Sequence, residues 1–246
     1  MLKARVANLK KDLIAGLGKR IPFGIEEIDN FWIGIPRGKI TVISGEHNTG
    51  KTLLLHQLAV INFLRNNSPT AFFNCDNSLK FDKSTLEKII SRYSSATSPD
   101  LLRNLYYIKI TTFDHLKSVF NEKIEFLIDH DVSLILIDSM INCLNTKIQE
   151  NNIILANFLK KTKQIIEKYD IALVITNSAY HDPKKNKIVV NAYNVFKGLS
   201  YYMIFIEKIK DAQKRKLRLS FLESNEKYAH YNLEAKDDGL HFRSNQ

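Results

Sequence analysis

The stretch Ile40-Thr-Val-Ile-Ser-Gly45-Glu-His-Asn-Thr-Gly50-Lys51-Thr52-Leu-Leu-Leu55 decides how the rest of the chain is read. It passes from a strand-length apolar run, through a loop with a glycine at each end, into residues with helical spacing. Gly45 to Thr52 fits G-x-x-x-x-G-K-[ST], the P-loop pattern, and each fixed position has a physical reason. The glycines let the backbone come close to an anion, and the N–H groups of Glu46, His47, Asn48 and Thr49 wrap phosphate oxygens. Lys51 reaches the outer phosphates, and the Thr52 hydroxyl is a ligand for Mg²⁺. His47 reads as a loop side chain and not as a catalyst.

On either side of this stretch the pattern alternates. Apolar runs of strand length occur at Ile40–Ser44, Ala71–Cys75, Tyr106–Ile110, Leu134–Ile137 and Ala172–Thr176, with helical periodicity over Lys51–Arg65, Ser84–Tyr93, Phe113–Ile128 and Ile153–Lys168. LILI and ALVI are apolar throughout, which suits strands buried on both faces of a parallel sheet. The expected fold class is therefore α/β, a mostly parallel twisted sheet with helices on both faces. After Lys197 the character changes. Tyr201–Ile209, Lys216–Leu222 and Lys227–Leu233 read as strands of a C-terminal antiparallel extension. Leu134-Ile-Leu-Ile-Asp138 ends an apolar strand on a carboxylate, the Walker B arrangement in which Asp138 holds the Mg²⁺ shell.

The 246 residues suffice for one domain with a full core, read here as residues 20–246. Residues 1–19 read as a helix and linker, with Leu2, Val6, Leu9, Leu13 and Leu17 on one helical stripe. No apolar run approaches the roughly 20 residues that span a bilayer. The N-terminus lacks the apolar segment of a secretory signal, so no membrane partner is expected. Neither Cys75 nor Cys143 has a second thiol nearby in sequence, which argues against a disulfide framework or a metal site. The formal net charge of +10 points to a polyanionic partner such as nucleic acid.

These residues together resemble the RecA/RadA recombinase superfamily, specifically its archaeal and eukaryotic RadA branch. IPFGIEEID (21–29) is similar to that family's approach to its P-loop, GKITVISG to the strand before the loop, and LAVINFL to the helix after it. FFNCDNSLKFDK (72–83) resembles the segment that carries the catalytic glutamate, with Asp76 in its place. LILIDSM resembles the Walker B strand, DIALVITNS (170–178) the strand that ends in the γ-phosphate sensor, and DDGLHF the last strand. The resemblance implies a RecA-like core that binds ATP and Mg²⁺. It makes Asp76, Lys51 and Asn177 catalytic, with Ser178 standing where the family has Gln, and puts Lys83 against the adenine. Asp76 also has a bland reading as a helix cap, and Lys83 as a solvated helix lysine. As a base, Asp is about 1.5 Å shorter than Glu. Displacement on that scale costs on the order of a hundredfold in rate, so slow hydrolysis is expected.

The resemblance also makes residues 178–192 the second DNA loop. There Lys184, Lys185 and Lys187 would neutralise phosphates and Tyr180 or Tyr193 would stack on a base, with a solvated lysine loop as the bland reading. A second basic group, Lys208, Lys210, Lys214, Arg215, Lys216 and Arg218, is open to reading as a phosphate track or as a soluble turn. Several departures from the family are read here: no helical DNA-binding domain or F-x-x-A polymerisation motif is recognised ahead of the core, and LESNEKYAHY (222–231) has no proline-bearing cap. The segment after Asp138 is short for a first DNA loop, and no glycine occurs between Gly50 and Gly198. The expectation is a recombinase paralogue, a weak DNA-dependent ATPase that binds DNA, single-stranded by preference, and assists recombination and repair. Its protein partner is a RadA-type recombinase or another paralogue. The expected setting is cytoplasmic and nucleoid-associated in an archaeon, or nuclear in a eukaryote. A nucleotide-bound interaction subunit with little hydrolysis, or a KaiC-like signalling ATPase, stands as the alternative.

Overall fold

The computed structural model describes residues 20–32, 34–76, 82–94, 98–144, 148–182, 187–209, 216–223 and 228–243. The N-terminal helix expected over residues 2–17 lies outside them. The chain enters through a short ribbon in which β1 (Arg20–Ile21) pairs with β2 (Ile35–Pro36) around helix α1 (Glu26–Trp32). Alternation begins at β3 (Ile40–Gly45), followed by α2 (Lys51–Asn66), β4 (Thr70–Asn74), α3 (Lys83–Tyr93), α4 (Ser98–Arg103) and β5 (Leu105–Lys109). It continues through α5 (Phe113–Asp129), β6 (Leu134–Asp138), α6 (Met140–Cys143), α7 (Ile148–Lys168) and β7 (Ala172–Asp182). Then come β8 (Lys187–Val190), α8 (Tyr193–Leu199), β9 (Tyr202–Lys208), β10 (Lys216–Glu223), β11 (Tyr228–Lys236) and β12 (Gly239–Phe242).

The main sheet has ten strands in the order β12-β11-β10-β9-β3-β7-β6-β4-β5, with β8 attached to β7. From β9 to β5 neighbouring strands run parallel, and β9 to β12 form an antiparallel meander. Strand alternation divides the core in two. Leu134 and Leu136 of β6, and Ala172 and Val174 of β7, pack under α1, α2, α3 and α4. Ile135, Ile137, Leu173 and Ile175 pack on the other face under α5, α7 and α8. Both faces being covered, these strands carry no polar alternation, as expected for a buried parallel sheet.

Local chemistry sets the helix starts. Asp82 caps α3 by accepting from Thr85 N–H at 3.1 Å, and Thr112 caps α5 by accepting from His115 N–H at 3.1 Å. The Asp82 carboxyl is held at about 2, chiefly by its hydrogen bonds from Thr85. One buried side chain ties the antiparallel extension to the helix after the P-loop. Gln57 of α2 donates to Phe23 O (2.8 Å) and accepts from Leu240 N–H of β12 (2.7 Å). Gly239 beside it has φ +119°, and a Cβ there would lie 2.4 Å from Gln57 Oε1.

Three expectations change. Residues 178–192 are largely a hairpin and not a loop. β7 runs on to Asp182 and pairs antiparallel with β8, Ala179 opposite Val190 and Tyr180 opposite Val189. The β-branched run Ile188-Val189-Val190 supplies the strand propensity. Among the described residues α1, α4, α6 and α8, too short to show a clear period, add four helices. The two thiols, distant in sequence, meet: Cys75 and Cys143 are buried in one cluster and share a hydrogen bond, which with burial pushes the Cys75 thiol up. Among the described residues no group of three or more His, Cys, Asp or Glu is arranged to hold a metal, and no helix is long and apolar enough to cross a membrane.

Replacing Gln57 with Ala strands a buried carbonyl and a buried N–H together. Each such loss costs about 1–3 kcal/mol, so urea unfolding of Gln57→Ala should show a deficit of roughly 2–4 kcal/mol.

Candidate nucleotide site

The P-loop leaves the carboxyl end of β3 at Gly45, where there is no room for a side chain. A Cβ there would lie 2.4 Å from Ile206 O of β9 and 2.7 Å from Thr49 Oγ1. The loop turns through two left-handed residues, Asn48 (φ 59°) and Gly50 (φ 81°). Thr49 Oγ1 braces it by donating to Glu46 O at 2.9 Å. Lys51 opens α2 and folds its ammonium back on the loop, donating to Gly45 O (2.9 Å) and Glu46 O (2.7 Å). Burial pushes its pKa down; the Asp138 carboxylate opposes this, and the neighbouring charge of Lys208 adds to it.

Asp138, at the end of β6, is only 3% exposed. Its Oδ2 accepts from Thr52 Oγ1 at 2.7 Å across 86 residues of sequence, and its Oδ1 accepts from Thr176 Oγ1 on the intervening strand β7. The two predicted Mg²⁺ ligands are therefore already in contact. Thr176 is an addition: in sequence it reads only as the last residue of an apolar strand. Beside Asp138, the Cys75 N–H donates to Asp138 O at 2.6 Å, which brings Asp76 to the same end of the sheet.

These groups line a cleft of about 820 Å³, with His47 to Leu53 on one side and Asp76, Ser139 and Asn142 on another, the two joined by the Thr52–Asp138 bond. Its volume lies within the usual range for small-molecule sites. The third side comes from Lys208 and from Ala235, Lys236 and Asp237 at the β11–β12 turn. Lys88 of α3 pins that turn through an ion pair to Asp237 (3.2 Å), and Arg92 does so by donating to Leu240 O (3.0 Å). None of these third-side residues forms a sequence motif with the P-loop, because the β9–β12 meander brings them there.

Other predicted residues fall differently. Asp82, and not Asp76, caps α3, so the capping reading of Asp76 does not describe that helix. Lys83 does not line the cleft; its side chain is about half exposed and pairs with Glu87 at 3.3 Å, while Thr85 of the same helix does line it. Asn177 is 0% exposed and donates to Asn191 O at 2.7 Å, off the cleft; its neighbour Ser178 faces in. The physical reason is strand alternation, which sends adjacent side chains to opposite faces. Tyr180 is 51% exposed on the β7–β8 hairpin, and Tyr193 starts α8 with the Lys197 ammonium 5.8 Å from its ring centre. Lys187 lies in β8, and Lys184 and Lys185 lie outside the described residues.

The residues present suit a nucleoside triphosphate with a divalent cation. The Gly45 cradle would be filled by any Cβ. The Lys51 ammonium bonds to the loop's own carbonyls, and Ser139 Oγ, buried on the cleft wall, has no hydrogen-bond partner among the described residues. Thr52 and Asp138 offer the oxygen ligands that a hard cation takes.

A phosphate loop at the carboxyl end of a central parallel strand, within this strand order, makes the chain an α/β protein with a RecA-like core. The family model for Rad51 matches residues 19–198. The chain belongs to the Rad51 family, within the RecA/RadA recombinase superfamily. It is 28% identical over 168 residues to a DNA repair protein RAD51 homolog of Solanum lycopersicum, covering 64% of this chain and 49% of that protein. It is 24% identical over 194 residues to the DNA repair and recombination protein RadB of Thermococcus sibiricus (strain DSM 12597 / MM 739), covering 77% of this chain and 79% of RadB. The chain thus spans about half the length of the first relative and most of the second.

His56, one turn further along α2, is buried with its ring 5.5 Å from that of Phe72. Burial pushes its pKa down, against the carboxylates of Asp138 and Asp82. Below the ordinary value of about 6.5 the unfolded chain takes up a proton here that the folded chain resists, so this contribution to stability is lost as pH falls. In urea unfolding between pH 7.5 and 5.5, His56→Phe should lose less stability than the parent.

Proposed function

We propose that this chain is a recombinase paralogue that binds ATP and Mg²⁺ in the P-loop cleft, engages DNA and assists homologous recombination and repair. The Thr52–Asp138 contact carries the nucleotide part of this reading, because it joins the two predicted Mg²⁺ ligands in the cleft that holds Lys51. Thr52 and Asp138 would hold the cation, whose charge offsets that of the phosphates. Lys51 and the N–H groups of the loop bind the phosphates themselves. Asp76, across the cleft, takes the proton of a water placed between it and the phosphate end. Its reach is one bond shorter than that of a glutamate, so turnover is slow.

The role in repair rests on family membership, and the names of both relatives are in keeping with it. The DNA part rests on the net charge of +10 and on the basic, tyrosine-bearing region 178–193. Short Asp76 also favours a second reading, in which the nucleotide is retained as a structural ligand and the chain serves as an interaction subunit for a recombinase. Measurable DNA-stimulated turnover would exclude it.

Two measurements test the proposal. Lys51→Ala should keep its circular dichroism spectrum and lose ATP affinity by at least about tenfold, since it removes charge from the phosphates and little from the core. Affinity for single-stranded DNA should fall steeply with salt. Replacing Lys184, Lys185 and Lys187 together with Ala should make the log–log slope shallower by roughly 2, at about 0.7 per phosphate contact. An unchanged slope would move the DNA site elsewhere on the protein.

A further inference from the structure

Lys208 is the last residue of β9, the strand that lies parallel to β3 with Ile206 opposite Gly45. It therefore stands two residues beyond the point where β3 gives way to the P-loop. The pleat puts Lys208 on the same face as Ile206, which packs in the cluster under α2, and its side chain lines the cleft with Lys51. Among the described residues no carboxylate pairs with it. Lys236, from β11, lines the same wall and has Glu234 at 3.8 Å. The carboxylates of Asp76, Asp138 and Asp237 also line the cleft, and Asp237 is paired with Lys88 at 3.2 Å.

Lys51, Lys208 and Lys236 thus bring three cations to a cleft in which Asp237 is paired with Lys88 and Asp138 is hydrogen-bonded to Thr52 and Thr176. Two ammonium groups within electrostatic reach in one cleft repel, and a polyanion between them turns that cost into attraction. We infer that Lys208 contacts the outermost phosphate of the bound nucleotide from within the same subunit and discriminates triphosphate from diphosphate. This rests on the nucleotide reading of the P-loop given above. Lys51, held by the loop, serves both nucleotides. Lys208, reaching from β9, has a partner only when the last phosphate is present.

Calorimetric titration of the full chain with Mg·ADP and with a non-hydrolysable Mg·ATP analogue tests this. Lys208→Met should bind the triphosphate about tenfold more weakly, the scale of one lost charge-assisted contact, with ADP affinity within about twofold of the parent. Lys208→Arg, which keeps the charge, should restore triphosphate binding to within about threefold. Lys51→Ala should lose both nucleotides. Unchanged binding of both nucleotides by Lys208→Met, or equal loss of both, overturns the assignment of Lys208 while Lys51→Ala still upholds the P-loop. Undiminished binding of both by Lys51→Ala removes the nucleotide reading itself, and the role of Lys208 with it.

Discussion

The hydrogen bonding of the Asp138 carboxylate is the constraint on which the rest of the site depends. A carboxylate this deeply buried is costly unless both oxygens are satisfied. They are satisfied here by hydroxyls from two different elements, Thr52 at the start of α2 and Thr176 on β7. Because β7 lies between β3 and β6 in the sheet, the pair of bonds fixes where the P-loop helix begins relative to the end of β6. The N–H of Cys75 donates to the Asp138 carbonyl, so the turn after β4 is drawn into the same arrangement. Moving any one of these elements would leave a buried oxygen or hydroxyl without its partner.

The antiparallel meander contributes on the other side of the P-loop. β9 lies so close to β3 that the Ile206 carbonyl occupies the space a side chain at Gly45 would need. The meander then returns to α2, where Gln57 joins β12 to the segment that leads in from β1. Consequently the P-loop helix is gripped at its start by Asp138 and one and a half turns later by Gln57. The β11–β12 turn that closes the cleft is positioned by the same contacts, with help from Lys88 and Arg92 of α3.

Much of this was legible in the residue order, for reasons that differ by feature. The buried parallel strands show as unbroken apolar runs because both faces are covered. The P-loop shows because its eight residues are consecutive and its function needs glycines and a lysine at fixed spacing. Asp138 shows because a strand-terminal carboxylate follows an apolar run. The β7–β8 hairpin does not show because the lysines in PKKNK read as a solvated loop and mask the β-branched run behind them. Resemblance alone points to Asn177 over Ser178. Which of two adjacent residues faces the cleft depends on the phase of the pleat, and an apolar run buried on both faces carries no mark of that phase.

The sequence by itself determined the fold class, the P-loop motif, and Thr52 and Asp138 as its candidate cation ligands, since these depend on local periodicity and on short motifs whose spacing is their chemistry. Only the tertiary structure decided that Thr176 shares Asp138 with Thr52, that Cys75 meets Cys143, and that Lys208 and the β11–β12 turn face the P-loop. Those contacts join residues tens to nearly two hundred positions apart. They arise from the order in which strands enter the sheet, and that order is settled by how the two apolar faces pack beneath their helices.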